Sequence, residues 1–287
     1  MTTRPYASGM GWGESPRWYD GALWLSDTQR ARLWTDASGE WRPFALESPS
    51  NGLWFLPDGR LVGALMRERR IGEWDGRAWR PYADLAGLGA GPLGDMIGDA
   101  DGNLYVDDVA FDAAAGEEPV PGRIILVRPD GSAVVAAEDV EFPNGLALVD
   151  GGATLVVAQT AARCLTAFEV LADGTLGERR RYADLAGLVG PDARPDGIWP
   201  AKRGVWVATT SGRAIVRVGE DEVHETVPTA PLLPIACCLR DDGALIATLA
   251  DTRGAPLLDA VRSRRVTASA VLIEPRKPLE RHHEVKE

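Results

Sequence analysis

The chain has 287 residues, 45% of them hydrophobic and 25% charged, a globular composition that excludes a collagen-like or largely disordered polypeptide. Lys and Arg number 31 against 42 Asp and Glu. The resulting charge of -11 disfavours nucleic acid or an anionic membrane as partner, because both need clustered positive charge.

The opening residues, Met1 to Gly9, hold no apolar run of signal-peptide kind, and no later stretch has the length of a membrane span, so a cytoplasmic location is expected. Thr3 to Gly9 also matches nothing else in the chain. From Ser15 onward a module recurs: a short apolar strand, a turn that usually carries Asp-Gly, and a second strand of alternating apolar character. Its six copies cover residues 15–28, 50–66, 93–108, 143–159, 195–210 and 234–250. Each is followed by further strand-like segments, at 31–36, 70–75, 123–131, 165–174, 214–221 and 270–275. A repeat of roughly 40–50 residues is what a four-stranded propeller blade needs. The fold class is therefore all-β, a six-bladed β-propeller, with residues 1–287 forming one domain that ends in a charged tail at about 281–287. The last copy lacks an outer strand before that tail, so one terminus is expected to complete the other's blade. Segments 82–90 and 182–190 are short and broken by glycine and read as loops between blades.

Cys164, Cys237 and Cys238 have neither zinc-site nor disulfide spacing and are expected as buried free thiols. His282 and His283, in the tail, read as solvated.

In a propeller the innermost strands line a central channel, so equivalent positions at the start of each module converge at one end. Those positions hold Glu14, Asn51, Gly94-Asp95, Asn144, Asp196 and Ile235-Ala236. Carboxylates gathered in a partly buried channel repel one another, and a divalent cation would compensate them. Oxygen donors alone favour a hard ion, with Ca2+ the best match, Mg2+ next, and Mn2+ or Zn2+ as substitutes. The same residues could instead cap strands by bonding to backbone, as Asn and Asp commonly do.

The stretches 13–27, 51–61, 94–106, 142–160, 165–176, 195–208 and 236–239 resemble the senescence-marker-protein/gluconolactonase family, also called regucalcin-like, and particularly its bacterial branch. Phe142-Pro143-Asn144-Gly145 and Pro195-Asp196-Gly197 are the more specific motifs in combination. The resemblance implies one calcium-like ion held by Glu14, Asn144 and Asp196, and hydrolysis of a lactone. One departure stands out: members that hydrolyse sugar lactones carry an asparagine where this chain has Gly94, and some place an arginine where it has Pro92. Highly hydroxylated sugar lactones are thus disfavoured as substrates. Among the aromatic and apolar candidates for the mouth, Trp12, Trp54, Met96, Phe111 and Trp199, the two nearest in sequence to an expected ligand are Trp12 and Trp199. Together with Asn51 they are assigned to the substrate, although ordinary blade packing is the favoured account of any single one of these aromatic and apolar residues.

The expected activity is a metal-dependent hydrolase that opens a lactone or related cyclic ester of small size. Asp196 is the first candidate base and Asp95 the second. A serine-type triad is disfavoured, since His224 is the sole histidine before the tail. The Glu222, His224 and Glu225 group reads as solvated charge on an outer strand. Two alternatives use the same residues: a non-hydrolytic metal-dependent isomerase or cyclase, and a non-catalytic calcium-binding propeller. Oligomeric state has no signature in the sequence.

Overall fold

A computed structural model of the chain describes residues 2–112 and 115–274. The tail at 281–287, with His282 and His283, lies outside the described residues. Six sheets of four strands each are arranged as blades around a channel. Blade 1 holds β2 to β5 (Gly13–Tyr19, Ala22–Asp27, Arg32–Thr35, Arg42–Ala45), and blade 2 holds β6 to β9 (Ser50–Phe55, Leu61–Leu65, Arg70–Trp74, Trp79–Asp84). Blade 3 holds β10 to β13 (Leu93–Gly98, Leu104–Asp108, Gly122–Val127, Ala133–Val140), and blade 4 holds β14 to β17 (Pro143–Val149, Thr154–Gln159, Cys164–Val170, Leu176–Asp184). Blade 5 holds β18 to β21 (Pro195–Pro200, Val205–Thr209, Ala214–Val218, Val223–Pro228). Blade 6 is composite: β22 to β24 (Leu233–Leu239, Leu245–Asp251, Thr267–Glu274) are completed by the N-terminal strand β1 (Thr2–Met10). Thr2 pairs with Glu274 and Met10 with Ala268, so the expected exchange between termini closes the ring. Without β1 the edge of β24 would stand open.

The apolar core is divided into six clusters, one in each gap between neighbouring blades. Strand alternation supplies both sides of a blade: on β15, Leu155 and Val157 pack toward blade 3 while Val156 and Ala158 pack toward blade 5. This is why the strands read as nearly continuous apolar runs. The turn glycines Gly21, Gly59, Gly102, Gly151, Gly204 and Gly243 adopt φ between +69° and +87°, which accounts for the recurrent Asp-Gly signal. Cys237 and Cys238 are buried free thiols, while Cys164 is partly exposed. Residues 82–90 and 182–190 are more ordered than loops. Tyr82 and Tyr182 belong to outer strands, a 3-10 turn follows at Ala86–Leu88, and α1 occupies Leu185–Leu188. Asp184 caps α1 by accepting from the Gly187 N–H, a local bond that apolar periodicity does not register. A second helix, α2 (Leu257–Arg262), lies between β23 and β24. No helix among the described residues is long and apolar enough to cross a membrane.

One irregularity recurs in every blade. The pairing of the innermost strand with its neighbour skips between Glu14 and Arg17, Ser50 and Leu53, Leu93 and Met96, Pro143 and Leu146, Pro195 and Ile198, and Pro234 and Ala236. Such bulges turn side chains away from the regular pleat. The residues at them are those expected at the channel mouth. The glycine that follows Asn51, Asn144 and Asp196 has a separate role, letting neighbouring innermost strands approach. A Cβ on Gly145 would lie 2.4 Å from the Ile198 backbone nitrogen, and one on Gly197 would lie 2.7 Å from Ala236 Cα. Gly145→Ala should therefore cost about 1–3 kcal/mol of stability by overpacking against immovable backbone. Gly87→Ala, where the added methyl meets nothing within 4 Å, should be close to neutral. Denaturant unfolding of the two variants checks both.

Candidate functional site

Glu14, Asp95 and Asp196 are 8%, 5% and 7% exposed, so each carboxylate is withdrawn from solvent while facing the channel end. The Trp12 indole donates to Glu14 Oε1 at 2.7 Å and fixes that carboxylate. Asn144 Nδ2 lies 3.4 Å from Thr160 Oγ1, and the Asn144 amide is near enough to Asp196 to favour the ionised form of its carboxyl. Thr210 Oγ1 sits 2.8 Å from Asp196 Oδ2 and 2.9 Å from the Pro234 carbonyl oxygen. The hydroxyl has one hydrogen, and the carbonyl can only accept. Thr210 therefore satisfies both neighbours at once only when Asp196 carries a proton of its own.

Burial, opposed by hydrogen bonds from Thr210 and Asn144 and reinforced by the charge of Asp95, pushes the Asp196 carboxyl up to about 7. Glu14 is also driven well above the usual carboxylate range, by burial and then by the charge of Asp196. A third acid joins them. Asp107, on β11, is fully buried and pushed upward by desolvation and by the charge of Asp95, while its Oδ2 accepts from the Asp95 N–H at 2.8 Å.

Asp95 is situated differently. Its Oδ1 accepts from Ser15 Oγ at 2.9 Å, from Arg17 Nη2 at 3.0 Å and from the Met96 N–H at 2.8 Å. Arg17 also donates to the carbonyls of Leu53, Pro16 and Met96, and its guanidinium lies 5.6 Å and 5.1 Å from the ring centroids of Trp54 and Trp199. Trp199 thus stands against Arg17 and Trp54, three residues along β18 from Asp196. Trp12 stands against Glu14 itself. Asn51 is partly buried, and its Oδ1 is sealed without a hydrogen-bond partner. Phe111 packs on Phe142 at 5.4 Å, the residue two before Asn144. Ser15, Arg17, Asp107 and Thr210 had no role assigned from sequence. Ser15 and Arg17 lie in the Glu14-Ser15-Pro16-Arg17 run, but nothing in the run shows that they reach across to blade 3.

Among the described residues no three Asp, Glu, His or Cys side chains form a metal cage by themselves. The expected set is two carboxylates and an amide, an all-oxygen donor set that suits a hard cation. The remaining chemistry also fits one: buried acids crowd a single arginine, and Asn51 Oδ1 and Asp107 Oδ1 are buried without partners. His224 lies away from this end, on the outer strand β21, with Nδ1 3.2 Å from Glu222 Oε1.

Residues 12–251 match the model of the SMP-30/gluconolactonase/LRE-like region. The chain belongs to this family. Solved structures share its fold at low identity. A luciferin-regenerating enzyme superposes with a TM-score of 0.78 at 18% identity, covering 94% of this chain and 96% of its own. A gluconolactonase from Xanthomonas campestris gives 0.73 at 22% identity over 94% and 89% of the two chains. A calcium-binding protein, regucalcin, from Agrobacterium tumefaciens gives 0.74 at 18% identity over 96% and 98%.

The raised acids make stability depend on pH. A carboxyl with a raised pKa in the folded state holds its proton longer there than in the unfolded chain, so stability is lost as pH rises between the two values. In chelator-containing buffer the melting temperature should fall as pH rises from the ordinary carboxylate range to about 7, where Asp196 ionises. Asp196→Asn should flatten that slope, as thermal melts across this range will show.

Proposed function

We propose that the protein is a cation-dependent hydrolase that opens a small lactone or related cyclic ester. The observation that carries this reading is the convergence of Asn144 and Asp196 at the bulges of adjacent innermost strands, with Glu14 in the field of Asp196. Glu14, Asn144 and Asp196 would hold the ion, with Ca2+ the preferred occupant. When bound, the ion supplies Lewis-acid stabilisation of negative charge on the ester carbonyl oxygen.

The chain's own groups supply the rest. Trp12 and Thr210 restrain Glu14 and Asp196, so that neither carboxylate must reorganise during reaction. Asp196 takes a proton from the water that adds to the acyl carbon, and returns one to the ring oxygen as the acyl C–O bond breaks, giving the hydroxy acid. Asp95 is the second candidate base, with its Oδ1 already engaged by three donors. Gly94 offers no side chain to sugar hydroxyls, and the Phe111–Phe142 pair adds apolar surface beside Asn144, which together favour a sparsely hydroxylated substrate. Trp12, Asn51 and Trp199 are the proposed substrate contacts, of which Trp12 is best placed.

Metal content by mass spectrometry, followed by turnover of a lactone and ester panel with Ca2+ and after chelation, tests the reading. One ion per chain and chelator-sensitive hydrolysis are expected, with Asp196→Asn lowering turnover by about 10²–10⁴-fold, the usual contribution of a general base. Turnover that survives chelation would contradict the proposal. One ion with no turnover on the panel would point instead to a calcium-binding propeller.

A further inference from the structure

The six modules can be aligned by the pair that opens each innermost strand. Glu14 faces Ser26 across β2 and β3. In blade 2 the Ser50–Leu65 pair puts Asn51 beside Ala64. In blade 4 the Pro143–Gln159 pair puts Asn144 beside Ala158, and in blade 5 the Pro195–Thr209 pair puts Asp196 beside Ala208. Four blades thus follow one rule: a polar side chain on the innermost strand and Ser or Ala beside it on the second.

Blade 3 inverts the rule. Its Leu93–Asp108 pair puts Gly94 on the innermost strand and Asp107 beside it. The exchange is sterically enforced, because a Cβ on residue 94 would lie 2.1 Å from Asp107 Oδ1. The space for a side chain at 94 is occupied by the Asp107 carboxylate. That carboxylate is fully buried, anchors the Asp95 N–H through Oδ2, leaves Oδ1 without a partner, and exerts its charge on Glu14. Blade 6, where the Pro234–Leu249 pair puts Ile235 beside Thr248, contributes no carboxylate or amide at this level, and the Thr248 hydroxyl is committed to the Gly13 carbonyl.

We propose that Asp107 is the third blade's member of the oxygen ring at the mouth, delivered from the second strand instead of the first. It rests on the reading of the mouth as a cation site and deepens it. Exchange of a neutral amide for a carboxylate makes the mouth more negative and strengthens its hold on a divalent ion, acting through Glu14 and Asp95 as a positioning and charge-setting residue. Carboxylates in this supporting role are commonly worth about 10–100-fold in metal affinity.

Four variants and the wild type, titrated with Ca2+ by calorimetry and melted with and without the ion, test this independently of turnover. Asp107→Ala should weaken Ca2+ binding by about 10–100-fold. Asp107→Asn, which keeps the volume and the acceptor for the Asp95 N–H, should also weaken it, and so isolates the charge. Gly94→Asn alone should lower the melting temperature through the clash with Asp107. Combined with Asp107→Ala it restores the arrangement of the other blades, and should recover most of the lost affinity. Ca2+ affinity unchanged in both Asp107 variants, or a double variant as weak as Asp107→Ala, would overturn the proposal while leaving the cation site standing. A wild-type protein that binds no Ca2+ would overturn the cation site itself and the role of Asp107 with it.

Discussion

Four carboxylates share the channel end with one arginine, and this imbalance of charge governs the rest of the site. Arg17 is committed to Asp95, in an ion pair with both side chains at most 7% exposed. Replacing either partner would strand the other, at a cost of about 3–5 kcal/mol. Glu14, Asp107 and Asp196 are left with no positive partner, and burial works against the charge of each. Protonation relieves that imbalance at low pH, and a divalent cation would relieve it at neutral pH. Binding of an ion there would therefore be coupled to proton release, which would give the site a pH dependence of its own.

The scaffold keeps these acids together despite their repulsion. Each innermost strand carries a bulge at the same level, so residues from blades far apart in sequence are turned into one small volume. Glycines behind them bring neighbouring strands into backbone contact and leave little freedom for the acids to separate. Interblade clusters of apolar side chains, closed by β1 on β24, hold the ring against the electrostatic stress at its end. The Arg17 guanidinium, buried beside Asp95, lies against the rings of both Trp54 and Trp199.

Much of this was legible in the chain. The Asp-Gly turns announce the hairpins because positive φ demands glycine, and the unmatched segment from Thr3 to Gly9 announces the strand that blade 6 lacks. Glu14, Asn144 and Asp196 could be placed because each begins a module. Residues 82–90 and 182–190 do connect blades, but the short turns within them, Ala86–Leu88 and Leu185–Leu188, have no apolar period to detect, and the cap of the second, Asp184, is a single side chain. Arg17 was silent for another reason: its partners, Asp95 and Trp199, are brought near only by ring closure. Asp107 left the clearest unread mark, since the corresponding positions in blades 1, 2, 4 and 5 are Ser26, Ala64, Ala158 and Ala208. A lone acid among them, paired with a lone glycine at 94, is a displacement visible only when the modules are aligned strand by strand.

The central claim is that the crowded acids at the mouth are arranged around a cation. Crystals grown with Ca2+, and again with a heavier lanthanide ion that takes the same oxygen ligands, would test it most directly through anomalous difference density. The account predicts one strong peak bounded by Glu14, Asn144 and Asp196. No peak there at neutral pH, or a peak only at surface carboxylates while Asp196 keeps its proton against Thr210, would contradict it.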